Sequence, residues 1–183
     1  MKIKGREYKI VKELYRTKWS KDQRLSEEVP KDRLEDRRKF FVVTCEKNHY
    51  FVKEYVDRDY GSGSLLFPDN IVYEANETKR LRGRIEIDGG EIDVPRVIAM
   101  EDNKIVFEYL EGYKKLGEGT FNQQGWDTIQ TLVRAWVSEK SVRNYDLCNN
   151  NTLYLSDGRD ISLRMVDFEY SEDRDPKKEL CVG

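Results

Sequence analysis

Two aspartates and an asparagine surround a stretch that predicts a β-hairpin near the end of the chain. Asp146 and Asn151 stand in YDLCNNN, before the apolar run TLYL, and Asp167 follows a second apolar run, SLRMV. A loop from Asp146 to Asn151 can point both side chains into one cleft, and the hairpin then returns the chain so that Asp167 ends beside Asn151. Carboxylate and amide oxygens are the ligands that Mg²⁺ prefers, and a further carboxylate can act as a general base.

Lys53 and Glu74 supply the remaining groups that phosphoryl transfer from ATP requires. That reaction needs a lysine at the α- and β-phosphates, a glutamate that holds this lysine, a carboxylate that orients and deprotonates the acceptor hydroxyl, and oxygen ligands for Mg²⁺. Lys53 lies in YFVKEY, and Glu74 lies in the helical stretch that follows. We therefore expect Asp146 to be the base, and Asn151 and Asp167 to be the metal ligands.

Alternating apolar residues predict the strands that must carry these groups. Residues 39–56 and residues 94–112 each hold two β-rich runs around a polar turn, so each predicts a hairpin. Residues 143–170 predict the third hairpin, which carries the aspartates. Residues 6–17 fit either a strand or a short helix, and the charged residues 18–38 fit a loop or a surface helix.

Two further stretches predict amphipathic helices. The first begins at a cap formed by Asp69 or Asn70, runs to about Arg82, and is ended by Gly83 and the pair Gly89–Gly90. The positions that share one side are Ile71, Ala75, Thr78 and Leu81 in the first helix, and Trp126, Ile129, Val133, Trp136 and Val137 in the second helix, over residues 123–140. Strands and helices together predict an α+β fold.

The composition excludes several classes of protein. The chain has 183 residues and a net charge of -2, with charged residues of both signs making up 37%. It holds no basic cluster for nucleic acid, and no apolar run approaches the roughly eighteen residues of a membrane span. Three scattered cysteines, Cys45, Cys148 and Cys181, indicate a reducing compartment, so we expect a cytoplasmic protein with no nucleic-acid or membrane partner. His49 is the single histidine, so a zinc site is not expected.

The motifs, taken in order, resemble the protein-kinase-like superfamily. YFVKEY is similar to the V-A-I-K strand, YDLCNNN to the catalytic loop H-R-D-L-x-x-x-x-N, and VDFEY to the D-F-G strand with Glu169 in place of glycine. By this resemblance Lys53 is the phosphate-binding lysine and Asp146 is the catalytic aspartate. Asn151 and Asp167 take the positions of the Mg²⁺ ligands.

The segment IVFEYLEG, residues 105–112, is similar to the kinase hinge. The resemblance implies that Phe107 is the gatekeeper, that the backbone of Glu108 and Leu110 faces adenine, and that Leu153 forms the adenine floor. VDFEY is also similar to the corresponding stretch of choline kinases and aminoglycoside phosphotransferases. The helix EANETKRL, followed by VPRVI and EYLEG, is similar to RIO kinases and to the minimal kinase of the KEOPS complex.

The resemblance implies a two-lobed fold and an activity. Residues 1–112 would form an N-lobe with an antiparallel sheet, one helix and the hinge, and residues 113–183 a strongly reduced C-lobe with a helix and the metal-binding hairpin. The expected activity is transfer of the γ-phosphate of Mg·ATP to the hydroxyl of a protein serine or threonine, or of a small alcohol. A protein partner that completes the reduced C-lobe is a further expectation.

Several positions depart from the kinase pattern and leave other hypotheses open. LYRTKWSKDQRLSEE, where the glycine-rich loop should lie, contains no glycine, and Asn144 and Tyr145 replace the histidine and arginine of the catalytic loop. The chain also ends soon after Asp167. A catalytically inactive pseudokinase or kinase-derived interaction module is therefore an alternative, and so is an unrelated α+β interaction domain.

Each candidate residue also has a purely structural explanation. Lys53 can be a strand lysine with its amine in solvent, and Glu77 can replace Glu74 as its partner. Asp146 and the asparagine run can be turn formers. The GSGS stretch at residues 61–64 can form an anion nest, but it lacks the GK[ST] of a P-loop, so a flexible connector is the preferred interpretation.

Overall fold

The computed structural model describes residues 1–19, 35–55, 67–142 and 151–168 of the chain. Within these ranges the α+β class is confirmed, because the chain forms β-strands in three sheets together with two α-helices. The strands are β1 (Lys2–Ile3), β2 (Arg6–Glu7), β3 (Lys9–Trp19), β4 (Glu35–Cys45), β5 (Asn48–Tyr55), β6 (Ile85–Ile87), β7 (Gly90–Asp93), β8 (Val97–Glu101), β9 (Lys104–Glu108), β10 (Lys114–Lys115), β11 (Thr152–Ser156) and β12 (Ile161–Met165). The helices are α1 (Phe67–Leu81) and α2 (Gln123–Glu139).

The chain packs into two compact units. The first unit contains Met1–Ala75 and Val97–Tyr109, and the second contains Asn76–Arg96 and Leu110–Gly183. Helix α1 contributes residues to both units. The predicted division at residue 112 stays a prediction. No helix in the described ranges is long and apolar enough to cross a membrane.

The first unit is built on a five-stranded antiparallel sheet with the order β3-β4-β5-β9-β8. The two hairpins predicted there are confirmed as β4–β5 and β8–β9. Residues 6–17, left open between strand and helix, lie mostly in β3, and residues 18–38 include the start of β4 at Glu35. Within this stretch the described residues 18–19 and 35–38 are strand and not loop or surface helix, because they pair β3 with β4. The rest of the stretch, residues 20–34, lies outside the described residues.

Helix α1 packs its apolar side as the sequence predicts. Ile71 and Ala75 are buried with residues of the first unit's sheet, whereas Leu81 is buried in the core of the second unit. The predicted start of the helix is wrong. Because α1 begins at Phe67, Asp69 and Asn70 lie inside its first turn and neither is the N-cap.

The second unit holds a mixed sheet with the order β10-β11-β12-β7-β6. The sequence analysis did not predict β6 and β7, and it assigned Gly89–Gly90 to the end of the preceding helix. Gly89 instead lies in the turn of the β6–β7 hairpin, and Gly90 begins β7. Strand β7 pairs in parallel with β12, with Gly90 opposite Ile161.

Helix α2 covers this mixed sheet and forms the main core of the second unit. Its N-terminus is capped by Asn122, whose side-chain oxygen accepts a hydrogen bond from the backbone nitrogen of Gly125 at 2.8 Å. The predicted apolar side is confirmed. The buried residues are Ile129, Leu132, Val133 and Trp136, and the partly buried Trp126 and Val137 pack against them. The helix packs on Ile92, Leu163 and Met165 of β7 and β12.

A polar network ties β7 to β12 on the sheet. Ser162 donates a hydrogen bond to Glu91 Oε1 at 2.5 Å, and Arg164 Nη2 donates to the same oxygen at 3.0 Å. The other oxygen, Oε2, forms an ion pair with Arg84. Burial by itself raises the pKa of the Glu91 carboxyl, but the hydrogen bonds from Ser162 and Arg164 and the charges of Arg164 and Arg84 outweigh it and lower that pKa below 4.5.

Gly90 lies where a side chain has no room. A Cβ atom at this position would lie 2.5 Å from the carbonyl oxygen of Ile161 and 3.0 Å from Leu132 Cδ1. The first contact is with backbone, which cannot rotate away. We expect Gly90→Ala to lower the free energy of unfolding by about 1–3 kcal/mol, measured by urea denaturation.

The control for this variant is Gly158→Ala. Gly158 has a φ of +93° and no atom within 4 Å of the added Cβ, so the control reports backbone strain of about 1 kcal/mol without a close contact. A Gly90→Ala variant as stable as the wild type would contradict the close parallel pairing of β7 and β12.

The Glu91 network predicts a defined pH dependence. Because the pKa of Glu91 is lower in the folded protein than in the unfolded chain, the network contributes its full stability above the unfolded pKa of about 4.5. That contribution is lost as the pH falls through the folded pKa. We expect the difference in Tm between the wild type and Glu91→Gln to be largest at neutral pH and to shrink below pH 4.5. A difference that stays constant down to a pH of about 3 would contradict this assignment.

Candidate functional site

A buried ion pair joins the sheet of the first unit to helix α1. Lys53 lies on β5, where it pairs with Phe40 of β4 and Ile105 of β9. Its Nζ atom donates a hydrogen bond to Glu74 Oε1 at 3.1 Å, and both residues are only 2% exposed. The alternative in which the Lys53 amine lies in solvent is therefore wrong.

The strand and helix periodicities explain why these two side chains meet. Side chains alternate along a strand, so Lys53 shares a face of β5 with Tyr55, whose ring is buried against Ile71 and Ala75 of α1. Glu74 lies three residues after Ile71, which places it on the same side of the helix. The packing of α1 on this face therefore brings the carboxylate to the ammonium.

Two aromatic rings and a hydroxyl group surround the pair. The Lys53 ammonium lies over two aromatic rings, 5.2 Å from the centroid of Tyr55 and 5.9 Å from that of Phe40. Both distances allow cation–π attraction. The Tyr55 hydroxyl donates a hydrogen bond to Glu74 Oε2, so each oxygen of this carboxylate has a partner.

Glu77, the alternative partner of Lys53, has a different contact. Its two carboxylate oxygens accept hydrogen bonds from Arg80, from Nε at 2.8 Å and from Nη2 at 2.5 Å. Arg80 also donates to the carbonyl oxygen of Lys140, just beyond the end of α2. In the structure, Glu74 is thus the helix glutamate that contacts Lys53.

Asn151 and Asp167 lie at the same end of the β11–β12 hairpin. The hairpin register places Thr152 opposite Met165, and the next pair of residues is joined by a hydrogen bond from Val166 N to Asn151 O at 2.9 Å. The hairpin therefore returns the chain beside Asn151, as the sequence analysis expected. Whether these two residues bind Mg²⁺ stays a prediction.

Asp167 has an unusual backbone conformation. Its φ is 70°, in the left-handed region, which aspartate and asparagine tolerate better than most residues. The next residue, Phe168, is buried against Trp136 of α2, with ring centroids 6.1 Å apart. The left-handed turn thus redirects the chain from strand β12 into the core and leaves Asp167 half-buried.

Two residues with side-chain oxygen atoms, Asn151 and Asp167, are half-buried at this end of the hairpin. The described ranges contain no group of three or more histidine, cysteine, aspartate or glutamate residues that could hold a metal ion. Mg²⁺ commonly uses one or two carboxylates, with water and phosphate oxygens completing its shell. Asn151 and Asp167 are compatible with this arrangement. Asp146 and Cys148 lie outside the described residues, as does the GSGS stretch.

Of the residues predicted to contact adenine, Glu108 and Leu153 lie on strands, and Leu110 follows β9 outside any strand. Glu108 ends β9 opposite Tyr50, and Phe107 is buried beside it with 5% exposure. In the second unit, Leu153 of β11 is half-buried, and the carbonyl oxygen of Leu110 accepts a hydrogen bond from Tyr113 N at 3.3 Å. Contact of Glu108, Leu110 and Leu153 with adenine stays a prediction.

Tyr55 contacts both members of the ion pair, and the sequence analysis missed it. A signal was present, because Tyr55 follows Lys53 by two positions in a predicted strand and must share its face. The hydrogen bond from the Tyr55 hydroxyl to Glu74 depends on how α1 packs on the sheet, and strand periodicity does not predict that packing.

Comparison with solved structures identifies the fold. The chain is similar to the Rio2 kinase from Chaetomium thermophilum, in a structure described as an ADP/Mg²⁺-phosphoaspartate complex, with a TM-score of 0.53 and 16% sequence identity. The match covers 77% of this chain and 45% of the Rio2 chain. This likeness shows a protein-kinase-like fold, and the narrower family resemblances stay predictions. No protein-family model matches the sequence, and no curated protein matches it.

The buried pair makes a prediction about stability. Lys53→Met leaves the Glu74 carboxylate buried without its ammonium partner, so we expect the free energy of unfolding to fall by about 3–5 kcal/mol. Adding Glu74→Gln should recover much of this loss, because the neutral amide oxygen still accepts the Tyr55 hydroxyl. A double-mutant cycle measured by urea denaturation should give a coupling energy of about 2 kcal/mol.

The matched control is the Glu77–Arg80 pair on the same helix. Arg80 is 45% exposed, so the cycle with Glu77→Gln and Arg80→Met should give a coupling below about 1 kcal/mol. Equal coupling energies in the two cycles would contradict the expectation that burial strengthens the interaction between Lys53 and Glu74.

Proposed function

We propose that this protein is an ATP- and Mg²⁺-dependent phosphotransferase that moves the γ-phosphate to a hydroxyl group. The observation that carries the proposal is the Lys53–Glu74 ion pair, buried between β5 and α1 in a chain of protein-kinase-like fold. A buried ion pair is a weak source of stability, because desolvation of both charges offsets their attraction. A lysine and a glutamate buried together at this place are better explained by a ligand that needs the ammonium group held in position.

Lys53 binds the α- and β-phosphates in this proposal, and Glu74 orients its ammonium group. Asn151 and Asp167 hold Mg²⁺, which neutralises charge on the phosphate oxygens when it is bound. Asp146 orients the acceptor hydroxyl and accepts its proton. Glu108, Leu110 and Leu153 bind adenine. The ADP and Mg²⁺ named for the Rio2 structure support this choice of ligands.

Two classes of acceptor are consistent with the sequence. The resemblance of EANETKRL, VPRVI and EYLEG to minimal kinases favours a serine or threonine of a protein, and the VDFEY motif favours a small alcohol. A protein partner belongs to the first possibility. A cytoplasmic location is part of the proposal because the scattered cysteines suit a reducing compartment.

An inactive nucleotide-binding or protein-binding module is the second candidate. The absence of glycine from LYRTKWSKDQRLSEE and the replacement of the catalytic-loop histidine and arginine by Asn144 and Tyr145 favour it. This candidate and the phosphotransferase differ in ATP turnover, so both can be tested with the same protein.

The test is a thermal-shift titration with ATP, with and without MgCl₂, followed by an assay of ADP formation in the presence of candidate acceptors. A ligand that binds only the folded state adds about 2.7 kcal/mol of stability at a hundred times its Kd, which corresponds to a rise in Tm of about 5–10 °C. We expect this rise in the wild type, we expect it to need Mg²⁺, and we expect it to fade in Asp167→Asn.

Asn suits this test because it tolerates the left-handed φ of residue 167 while it removes the charge. The matched control is Asp157→Asn, at the opposite end of the same hairpin. Asp157 is an exposed turn residue whose Oδ1 accepts hydrogen bonds from Arg159 N and Asp160 N, which an amide oxygen can also accept. This control should keep the full shift.

The outcomes separate the candidates. A Mg²⁺-dependent shift with acceptor-dependent ADP formation supports the phosphotransferase. A shift without turnover, in the presence of candidate acceptors, favours the inactive module. No shift at millimolar ATP, with or without MgCl₂, would overturn the proposal of a nucleotide site.

A further inference from the structure

Tyr55 is held rigidly at the end of β5. Its backbone nitrogen donates to Asn103 O at 2.9 Å, and its carbonyl oxygen accepts a hydrogen bond from Asn103 Nδ2 at 2.7 Å. The side chain is 1% exposed and packs with Ile71 and Ala75 of α1. Both the backbone and the ring of Tyr55 are therefore fixed by neighbours in the same unit.

The fixed side chain contacts both members of the buried ion pair. The Tyr55 hydroxyl donates to Glu74 Oε2, while Glu74 Oε1 accepts from Lys53 Nζ. The Tyr55 ring centroid lies 5.2 Å from the same Nζ atom. One phenol thus binds the carboxylate by a hydrogen bond and attracts the ammonium through its ring.

This arrangement restricts how the ion pair can open. Glu74 is carried by α1, whereas Lys53 and Tyr55 are both carried by β5. A carboxylate held by Lys53 alone can rotate about its side-chain torsions and release the ammonium. With its second oxygen held from the same strand, Glu74 must break two charge-assisted hydrogen bonds before α1 moves away from β5.

We propose that Tyr55 is a positioning residue that locks the Lys53–Glu74 pair in its closed arrangement. It acts through Glu74 and need not touch a substrate. Its consequence for ATP rests on the function proposed above: a locked pair presents the Lys53 ammonium in one position, so the nucleotide does not have to order it. The locking itself is a property of the first unit and can be measured without a nucleotide.

The test compares Tyr55→Phe with Tyr8→Phe. Tyr55→Phe keeps the ring and its packing but removes the hydroxyl that binds Glu74. Tyr8 is also 1% exposed and lies in the first unit, but it belongs to a different core cluster, with Ile3 and Phe41. Its replacement therefore controls for the loss of a buried hydroxyl that does not touch the ion pair.

The primary measurement is the rate at which an acylating reagent modifies the Lys53 amine. The folded chain is labelled, and mass spectrometry of its peptides then gives the rate at each lysine. Lys9, which is exposed, reports the unhindered rate. Loss of a hydrogen bond to a charged group should raise the population of the open pair, in which Glu74 has released Lys53, about tenfold in Tyr55→Phe. The rate of Lys53 modification should rise by the same factor. Tyr8→Phe should leave the Lys53 rate close to the wild-type value.

Global unfolding is monitored in parallel, because an unstable variant exposes every lysine. Urea denaturation gives the stability of both variants, and the Lys53 rate is compared under conditions in which their stabilities match. A Lys53 rate that follows global stability alone in both variants would reduce Tyr55 to a packing residue and overturn the inference.

Titration with ATP and MgCl₂ separates this inference from the proposed function. If ATP protects Lys53 in the wild type and the Kd for ATP rises severalfold in Tyr55→Phe, both stand. If the Lys53 rate rises in Tyr55→Phe but ATP has no effect on the wild type, the locking stands and the nucleotide site fails. If ATP protects Lys53 and the rate is unchanged in Tyr55→Phe, only the locking fails.

Discussion

The first unit depends on one electrostatic constraint: the amine of Lys53 and the carboxyl group of Glu74 are both buried and contact each other. An isolated charge removed from water is strongly unfavourable, and two buried charges are tolerated only when their geometry and their remaining hydrogen bonds are good. The central position of β5 between β4 and β9, the packing of α1 on that sheet and the hydroxyl of Tyr55 together meet this condition. The same elements also form the apolar cluster around Tyr55, so packing and electrostatics fix a single position for α1 on the sheet.

The second unit depends on apolar packing and close backbone approach. Helix α2 covers a mixed sheet in which β7 joins β12 in parallel, and Gly90 allows the two backbones to meet. The end of α1 enters this core through Leu81, while Ile71 and Ala75 belong to the core of the first unit. One continuous helix thus contributes to both cores, and the glutamate that binds Lys53 lies on it. The left-handed conformation of Asp167 follows from the same packing, because Phe168 must turn back to bury its ring against Trp136.

The two groups of candidate residues are held in different ways. The amine of Lys53 is buried and contacts the side chains of Glu74 and Tyr55, which hold it in one orientation. Asn151 and Asp167 are half-buried at the end of a hairpin, and in the proposed function they hold Mg²⁺ together with water and phosphate oxygens. Similarity to a Rio2 kinase at 16% identity supports a shared framework. Chemical competence must come from the residues placed on that framework.

The sequence by itself determined the local structure. Alternating apolar runs predicted the hairpins β4–β5, β8–β9 and β11–β12, and helical spacing predicted the buried sides of α1 and α2, because these patterns depend on neighbours a few residues apart. The candidate residues Lys53, Glu74, Asn151 and Asp167 also followed from motif order. Only the tertiary structure decided that β7 pairs with β12, whose contacting residues Glu91 and Ser162 lie 71 positions apart. It also decided that Gly89 and Gly90 belong to the β6–β7 hairpin, in its turn and its second strand, and do not end a helix. It alone decided that Lys53 is buried and that Tyr55 binds Glu74. A strand pattern specifies which residues share a face, but the element that covers that face is selected by the packing of the whole unit.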